Sequence, residues 1–250
     1  MQMSGNTILI TGGASGIGRA LAESFHKAGN KVIIAGRRKQ VLDETTAANQ
    51  GMESLTADVA SAEGIHTLAE RAKATYPSLN VVIHNAGIMR PEDLKSGKVA
   101  DAETIVATNL LAPILLTEAL MPLLLAQPKA VILTVSSGLA FLPLATTPTY
   151  CATKAAIHSW TQSLRHQLRD TSVQVIEIAP PYVQTELMGP QQAKDPTAMP
   201  LAEFIAEVMQ ILRSNPDVQE VLVERVKILR FAEVNGNYAE VFAKLNSQTF

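Results

Sequence analysis

The sequence predicts a doubly wound α/β fold, a single domain built on a parallel sheet with helices on both faces, and three observations carry that expectation. Short apolar runs alternate with amphipathic helical patterns along most of the chain, which is the rhythm of repeated βαβ units. Runs such as "VILTV" and "VVI" are nearly continuous in apolar residues, as strands covered on both faces are. The first run opens directly into the glycine-rich turn "TGGASGIG" at the head of a helical pattern, and ligands of such sheets bind at the carboxyl ends of strands.

In chain order, "TILIT" reads as the first strand, followed by a helix from Ile17 to Ala28 that Gly29 closes, because a glycine past the last periodic residue ends helices. "KVIIAG" is the second strand and residues 38 to 49 a polar helix; "MESLTAD" is the third strand and residues 62 to 75 the next helix. "NVVIHNAG" precedes a long apolar helix from about Asp101 to Ala126, and "AVILTVSS" precedes the helix that carries Tyr150 and Lys154. "VQVIEIAP" is the sixth strand, and Val221 to Val223 supply a candidate seventh before a helical ending. Residues 180 to 200, rich in proline and polar side chains, read as a loop, with a mobile substrate lid expected over about 182–200.

Composition narrows the partners. With 250 residues, 47% of them hydrophobic, the chain has material for one full core. The net charge of −2 and the absence of a basic run longer than Arg37, Arg38, Lys39 give no footprint for nucleic acid or a membrane surface. A small molecule is the expected partner. The one cysteine, Cys151, rules out an intramolecular disulfide and any Cys-x-x-Cys site, so no metal is expected and the setting is taken as reducing and cytoplasmic. The first residues lack the pattern of a signal peptide, and no apolar run is expected to reach the roughly 18 residues of a membrane span.

The chemistry concentrates at strand ends. Gly12, Gly16 and Gly18 place backbone amides at a helix N-terminus where a pyrophosphate can approach, and without the Lys-Ser/Thr of a P-loop the turn does not suit an NTPase. "HNAG" ends the fourth strand. Asn109 stands four residues before Pro113, which lacks the N–H that would bond the Asn109 carbonyl. Ser136 and Ser137 end the fifth strand with no GxSxG elbow around them, so a hydrolase is a poor reading. Tyr150 and Lys154 share one helix face, and an ammonium beside a phenol is expected to bring its pKa down toward working pH, as general acid–base catalysis needs.

Together, "TGGASGIG", the Asp58 of "ADV", "NAG", Asn109, Ser137 and Tyr150-xxx-Lys154 resemble, in order and spacing, the short-chain dehydrogenase/reductase family over roughly residues 5 to 187. The resemblance implies a Rossmann-type domain that transfers hydride between NAD(P) and a carbonyl or alcohol. It implies that Ser137 polarises the substrate oxygen, Tyr150 exchanges its proton, Lys154 holds the nicotinamide ribose, and Asn109 anchors a proton-relay water. Cofactor contacts are implied for Gly12, Ser15, Gly16, Ile17, Gly18, Arg37, Arg38, Asp58, Val59, Asn85, Ala86, Gly87, Tyr150, Lys154, Pro180, Val183 and Thr185. A homotetramer or homodimer through the Asn109 and Tyr150 helices is also implied.

The chain departs from the family where "PP", Pro180 and Pro181, replaces Pro-Gly, and its ending resembles that of the carbonyl-reductase-like bacterial members of DltE type. At the end of the second strand Gly36 takes the place of the acid that NAD-preferring domains use, and Arg37 and Arg38 follow, so NADP(H) is expected over NAD(H). Met89, Leu139, Phe141, Tyr182, Val183, Leu187 and Met188 are the expected apolar pocket wall, suited to a ketone or secondary alcohol with a hydrophobic body. The competing reading is an NAD(P)-binding regulator or scaffold with little turnover; such proteins lose the acid or the lysine, and both are present here.

Overall fold

A computed structural model describes residues 1–97, 99 and 101–247. Seven parallel strands, β1 Thr7–Thr11, β2 Lys31–Gly36, β3 Glu53–Thr56, β4 Val81–His84, β5 Ala130–Val135, β6 Val173–Ile178 and β7 Glu220–Val221, lie in the order β3-β2-β1-β4-β5-β6-β7. The order reverses between β1 and β4, and a crevice at the carboxyl ends of strands at such a switch point is where a ligand fits. The seventh strand is shorter and earlier than Val221 to Val223. Val223 is still extended, but it leads into a single tight turn, Glu224–Val226, that ends the pairing.

The helices are α1 Gly16–Lys27, α2 Lys39–Ala48, α3 Ala62–Thr75, α4 Ala102–Val106, α5 Ala112–Leu125, α6 Pro148–Gln167, α7 Leu201–Ser214, α8 Lys227–Arg230 and α9 Tyr238–Asn246; all but α7, which the sequence reading did not anticipate, lie in segments read as helical. Gly29, at φ +87, closes α1 as its position suggests. Side chains of α1 and α7 make one core layer with Ile8, Ile10, Ile34 and Ile83. Those of α3 and α5 make the other with Leu9, Ile33, Val82 and Ile132. Alternate residues of one strand therefore serve opposite layers, which is why these runs are apolar throughout.

Between α4 and α5 the helix continues as one π turn, Ala107–Leu111, with Asn109 inside it. Pro113 follows at the start of α5, and a wide turn of this kind is found at functional sites. The continuous helix Ala102–Leu125 is long and apolar enough to cross a membrane by length and composition, contrary to the expectation that no segment would be. In the fold its Leu116, Leu120 and Leu124 are buried in the α3 layer.

One rung of the sheet is polar from β1 through β4, β5 and β6 to β7. Thr11 is in register with His84, His84 with Thr134, Thr134 with Glu177, and Glu177 with Glu220. Registered residues of parallel strands present side chains to the same face, here the face under α5 and α6. His84 bonds Thr117 at 2.8 Å, Thr134 bonds Thr161 at 3.0 Å, and Glu177 bonds His158 at 2.8 Å. His84, Thr134 and Glu177 thus each find a helix partner, and Thr11 bonds the Ile83 carbonyl instead, as burial demands.

Candidate active site

The glycine-rich turn is shaped by close approach. Gly12 and Gly16 take φ values of +66 and +52, a region open to glycine at little steric cost. A Cβ on Gly18 would lie 2.3 Å from Asn85 Nδ2 and 2.3 Å from the Gly12 carbonyl oxygen, and one on Gly12 would lie 2.9 Å from Ala86 Cα. The turn and the Asn85, Ala86, Gly87 segment are therefore pressed together. Thr11 Oγ1 accepts from both the Asn85 and Ala86 amides, and Asn85 Nδ2 donates to the carbonyls of Thr11 and Gly12. Gly13, which the motif reading passed over, packs against Ile34, whose Cγ2 a Cβ would meet at 2.6 Å. The result is a side-chain-free floor at the start of α1, which fits a pyrophosphate.

Around that floor stand the other expected contacts. Arg38 ends the approach to α2 and its Nη2 donates to Ser15 Oγ at 3.1 Å, while Arg37 is exposed beside it. Asp58 is exposed and caps its own turn through the Ala60 amide, and Val59 is buried. Thr185 reaches the turn from the other side, its Cγ2 being 3.6 Å from where a Gly16 Cβ would sit. The Pro180 carbonyl accepts from the Gly138 amide at 2.8 Å, so the Pro-Pro pair is tied to the serine loop through a carbonyl and the N–H that Pro181 lacks is not needed for that tie.

The four tetrad residues converge at the carboxyl ends of β4 and β5. Asn109 uses its side chain as a clamp: Oδ1 accepts from the Ile88 amide at 2.9 Å, and Nδ2 donates to the Ile88 carbonyl at 3.0 Å and to Thr153 Oγ1 at 3.2 Å. Lys154 Nζ donates to the Val135 carbonyl at 2.8 Å and lies 5.5 Å from the Tyr150 ring centre. Gly87 lies next to both: a Cβ there would stand in ordinary contact, 3.5 Å from Asn109 Oδ1 and 3.7 Å from Lys154 Nζ. Ser137 hydrogen-bonds the Tyr150 phenol and accepts from the Leu139 amide at 3.1 Å.

The apolar wall differs in part from expectation. Met89, Leu139, Leu187 and Met188 do gather around Tyr150, with Leu144 and Cys151. Phe141 does not join them; it packs edge-on against His158 and under the Arg230 guanidinium. Val183 belongs to the main core, and Tyr182 donates to Asp195 at 3.1 Å. A residue that sequence reasoning missed, Leu245 of α9, completes the wall. Asn246 fixes it there by accepting from the Ala145 amide and donating to the Pro143 carbonyl at 3.2 Å. No local motif announces a terminal helix folding back over a hundred residues.

A family model, short chain dehydrogenase, matches residues 6–196. The chain is also 42% identical to the uncharacterized oxidoreductase DltE of Bacillus subtilis (strain 168), over 99% of both chains. The chain belongs to the short-chain dehydrogenase family. Its fold matches a short-chain dehydrogenase from Streptomyces avermitilis with a TM-score of 0.82, at 25% identity over 96% of this chain and 97% of the other. It also matches a candidate NAD(P)-dependent gluconate 5-dehydrogenase from Beutenbergia cavernae, which carries NADP at low occupancy, with a TM-score of 0.79, at 26% identity over 91% and 98%. As a short-chain dehydrogenase, the protein is an oxidoreductase by class.

In this short-chain dehydrogenase the electrostatics run differently from the sequence expectation. Burial pushes the Tyr150 phenol up, with the Ser137 hydrogen bond pulling it partly back and Cys151 adding to the rise; the anticipated lowering by the ammonium is not found, and desolvation sets the direction. Lys154 is the group drawn toward working pH, lowered by burial to about 8, with the charge of Glu177 acting against that fall. Glu177 is the second residue the sequence reading missed, although an acid inside the run "VIEI" was its signal.

A stability prediction follows from the Lys154 value. Because its folded pKa of about 8 lies below the ordinary 10.5, the folded chain holds fewer protons than the unfolded one between those values, and stability rises with pH there. Urea unfolding should show wild type gaining about 2 kcal/mol on Lys154→Met between about pH 7.5 and about pH 9.5. A constant difference between the two proteins would show that Lys154 is not depressed.

Proposed function

We propose that the protein is an NADP(H)-preferring reductase that interconverts a ketone and a secondary alcohol, with Tyr150 as the general acid–base. The observation that carries this reading is the convergence of Ser137, Tyr150, Lys154 and Asn109 beside a glycine floor at the switch point of the sheet. The bound nicotinamide supplies or accepts the hydride. Ser137 donates to the substrate oxygen and holds it against the phenol, so Tyr150 can pass its proton as negative charge grows there. A phenol kept protonated by burial suits the reducing direction. Lys154 places a cation beside that oxygen, and Asn109 keeps Ile88, and with it the loop over Lys154, in place.

Arg38 at Ser15, with Arg37 next to it and Gly36 in place of an acid, favours a 2′-phosphate: two guanidinium groups can fork onto its oxygens and no carboxylate repels it. NAD(H) is the weaker alternative. The wall of Met89, Leu139, Leu144, Leu187, Met188 and Leu245 favours a neutral substrate with a hydrophobic or aromatic body. A cytoplasmic setting suits the single, buried thiol of Cys151. Leu111, Leu115 and Leu125 remain exposed along the π turn and α5, and an apolar stripe of this kind suits a homodimer or homotetramer formed through that helix.

Tyr150→Phe should abolish nearly all turnover of neutral aryl or alkyl ketones, a loss of at least about a thousandfold, while the dissociation constant for NADPH changes little. Turnover surviving in this variant would remove the phenol from the mechanism. Replacing Arg38 or Arg37 by Ala should raise KM for NADPH roughly tenfold or more and leave that for NADH nearly unchanged; equal shifts would show that neither reads the phosphate. Light scattering at micromolar concentration should give a multiple of the 26.8 kDa chain mass, and a monomer would overturn the assembly.

A further inference from the structure

Glu177 is a carboxylate with no solvent exposure, near the carboxyl end of β6. Both its oxygens face His158 Nδ1, at 2.8 and 3.0 Å, while His158 Nε2 lies 3.1 Å from the Gln162 amide nitrogen. That pairing fits a ring that donates from Nδ1 and accepts at Nε2. His158 thereby orients the carboxylate, and a carboxylate this deeply buried is costly unless a cation stands near it.

The surrounding groups narrow the choice. On α6, Tyr150 and Cys151 are neutral neighbours of Lys154, their phenol and thiol both pushed up by burial. Asn109 faces Lys154 from the π turn without charge, and the acids of α4 and its cap, Glu103 and Asp101, are exposed. His84, on the same rung, is lowered by burial to about 3 and stays neutral. Glu220, beside Glu177 on β7, is taken by Arg230 at 2.9 and 3.2 Å. Arg165 donates to the carbonyls of Val175 and Gln219 and feels both acids from a half-buried position. Lys154 is the buried cation one helical turn before His158. Its seat, the Val135 carbonyl, belongs to the residue after Thr134, the register partner of Glu177.

We propose that Glu177, oriented by His158, is the buried counter-charge that keeps the Lys154 ammonium protonated and seated on the Val135 carbonyl, and so acts as a positioning residue for the reaction. Glu177 touches neither substrate nor cofactor in this scheme; it works through Lys154. Its kinetic consequence rests on the proposed ketone–alcohol reaction, whereas its effect on the lysine does not.

The test is a pH titration of the lysine side-chain NMR signals of the full chain, with the Lys154 signal assigned by its loss in Lys154→Met. In Glu177→Gln, which keeps shape and a hydrogen-bonding group, the Lys154 midpoint should fall by about one pH unit or more. In Glu220→Gln, whose charge belongs to Arg230, it should stay where it is. The high-pH limb of kcat/KM should move downward in Glu177→Gln by the same amount as the NMR midpoint. If Glu177→Gln does not fold, His158→Gln should shift the midpoint in the same direction by less, because the carboxylate loses its orienting bond. An unmoved midpoint in whichever of these variants folds overturns the proposal, as does an equal shift in Glu220→Gln. A shifted midpoint in a protein that turns over no ketone or alcohol would sink the reaction and leave the counter-charge standing.

Discussion

The active end of this molecule depends on taking one ammonium group out of water. Lys154 lies inside the seam between α6 and the sheet, with its Nζ on the Val135 carbonyl. A bare charge there would cost several kcal/mol, and the polar rung of the sheet reduces that cost. Thr134, Glu177 and their helix partners Thr161 and His158 give the seam a polar lining where neighbouring rungs are apolar. The fold tolerates the lining because each member is bonded to the helix above it.

The same rung organises the cofactor side. Thr11, its member on β1, receives the amides of Asn85 and Ala86 and so fixes the segment that separates the glycine turn from Lys154. Asn109 grips the next residue but two, Ile88, through both its amide and its carbonyl. Between these two anchors Gly87 faces Asn109 and Lys154, near enough that a Cβ there would touch both. The short stretch from Asn85 to Ile88 is thus held at both ends by side chains from strands and helices, which is how a loop acquires the precision that catalysis asks of it.

Much of this was legible in the sequence, and the reasons differ by residue. The first six strands and the helices α1 to α6 follow from apolar period and glycine stops, which act locally. The glycine turn, Ser137, Tyr150 and Lys154 are legible because their spacing is fixed by one strand-turn-helix step. What was not legible depends on contacts between distant segments. Leu245 meets Tyr150 because α9 folds back and Asn246 holds it to Pro143 and Ala145. Phe141 leaves the pocket for His158 and Arg230, groups that sequence spacing does not bring near it. The direction of the Tyr150 shift depended on burial, which a helix-face argument does not measure.

The segment after the Pro-Pro pair closes on itself. Val183 bridges Met199, the Met199 amide reaches the Tyr182 carbonyl, and the buried Gln192 side chain ties Val183, Thr185 and Met188 together from within. Its two ends therefore hold each other, independently of what lies between them. Such a cassette can exchange residues such as Leu187 and Glu186 while the frame beneath is undisturbed, so selection can vary this surface without renegotiating how the chain folds.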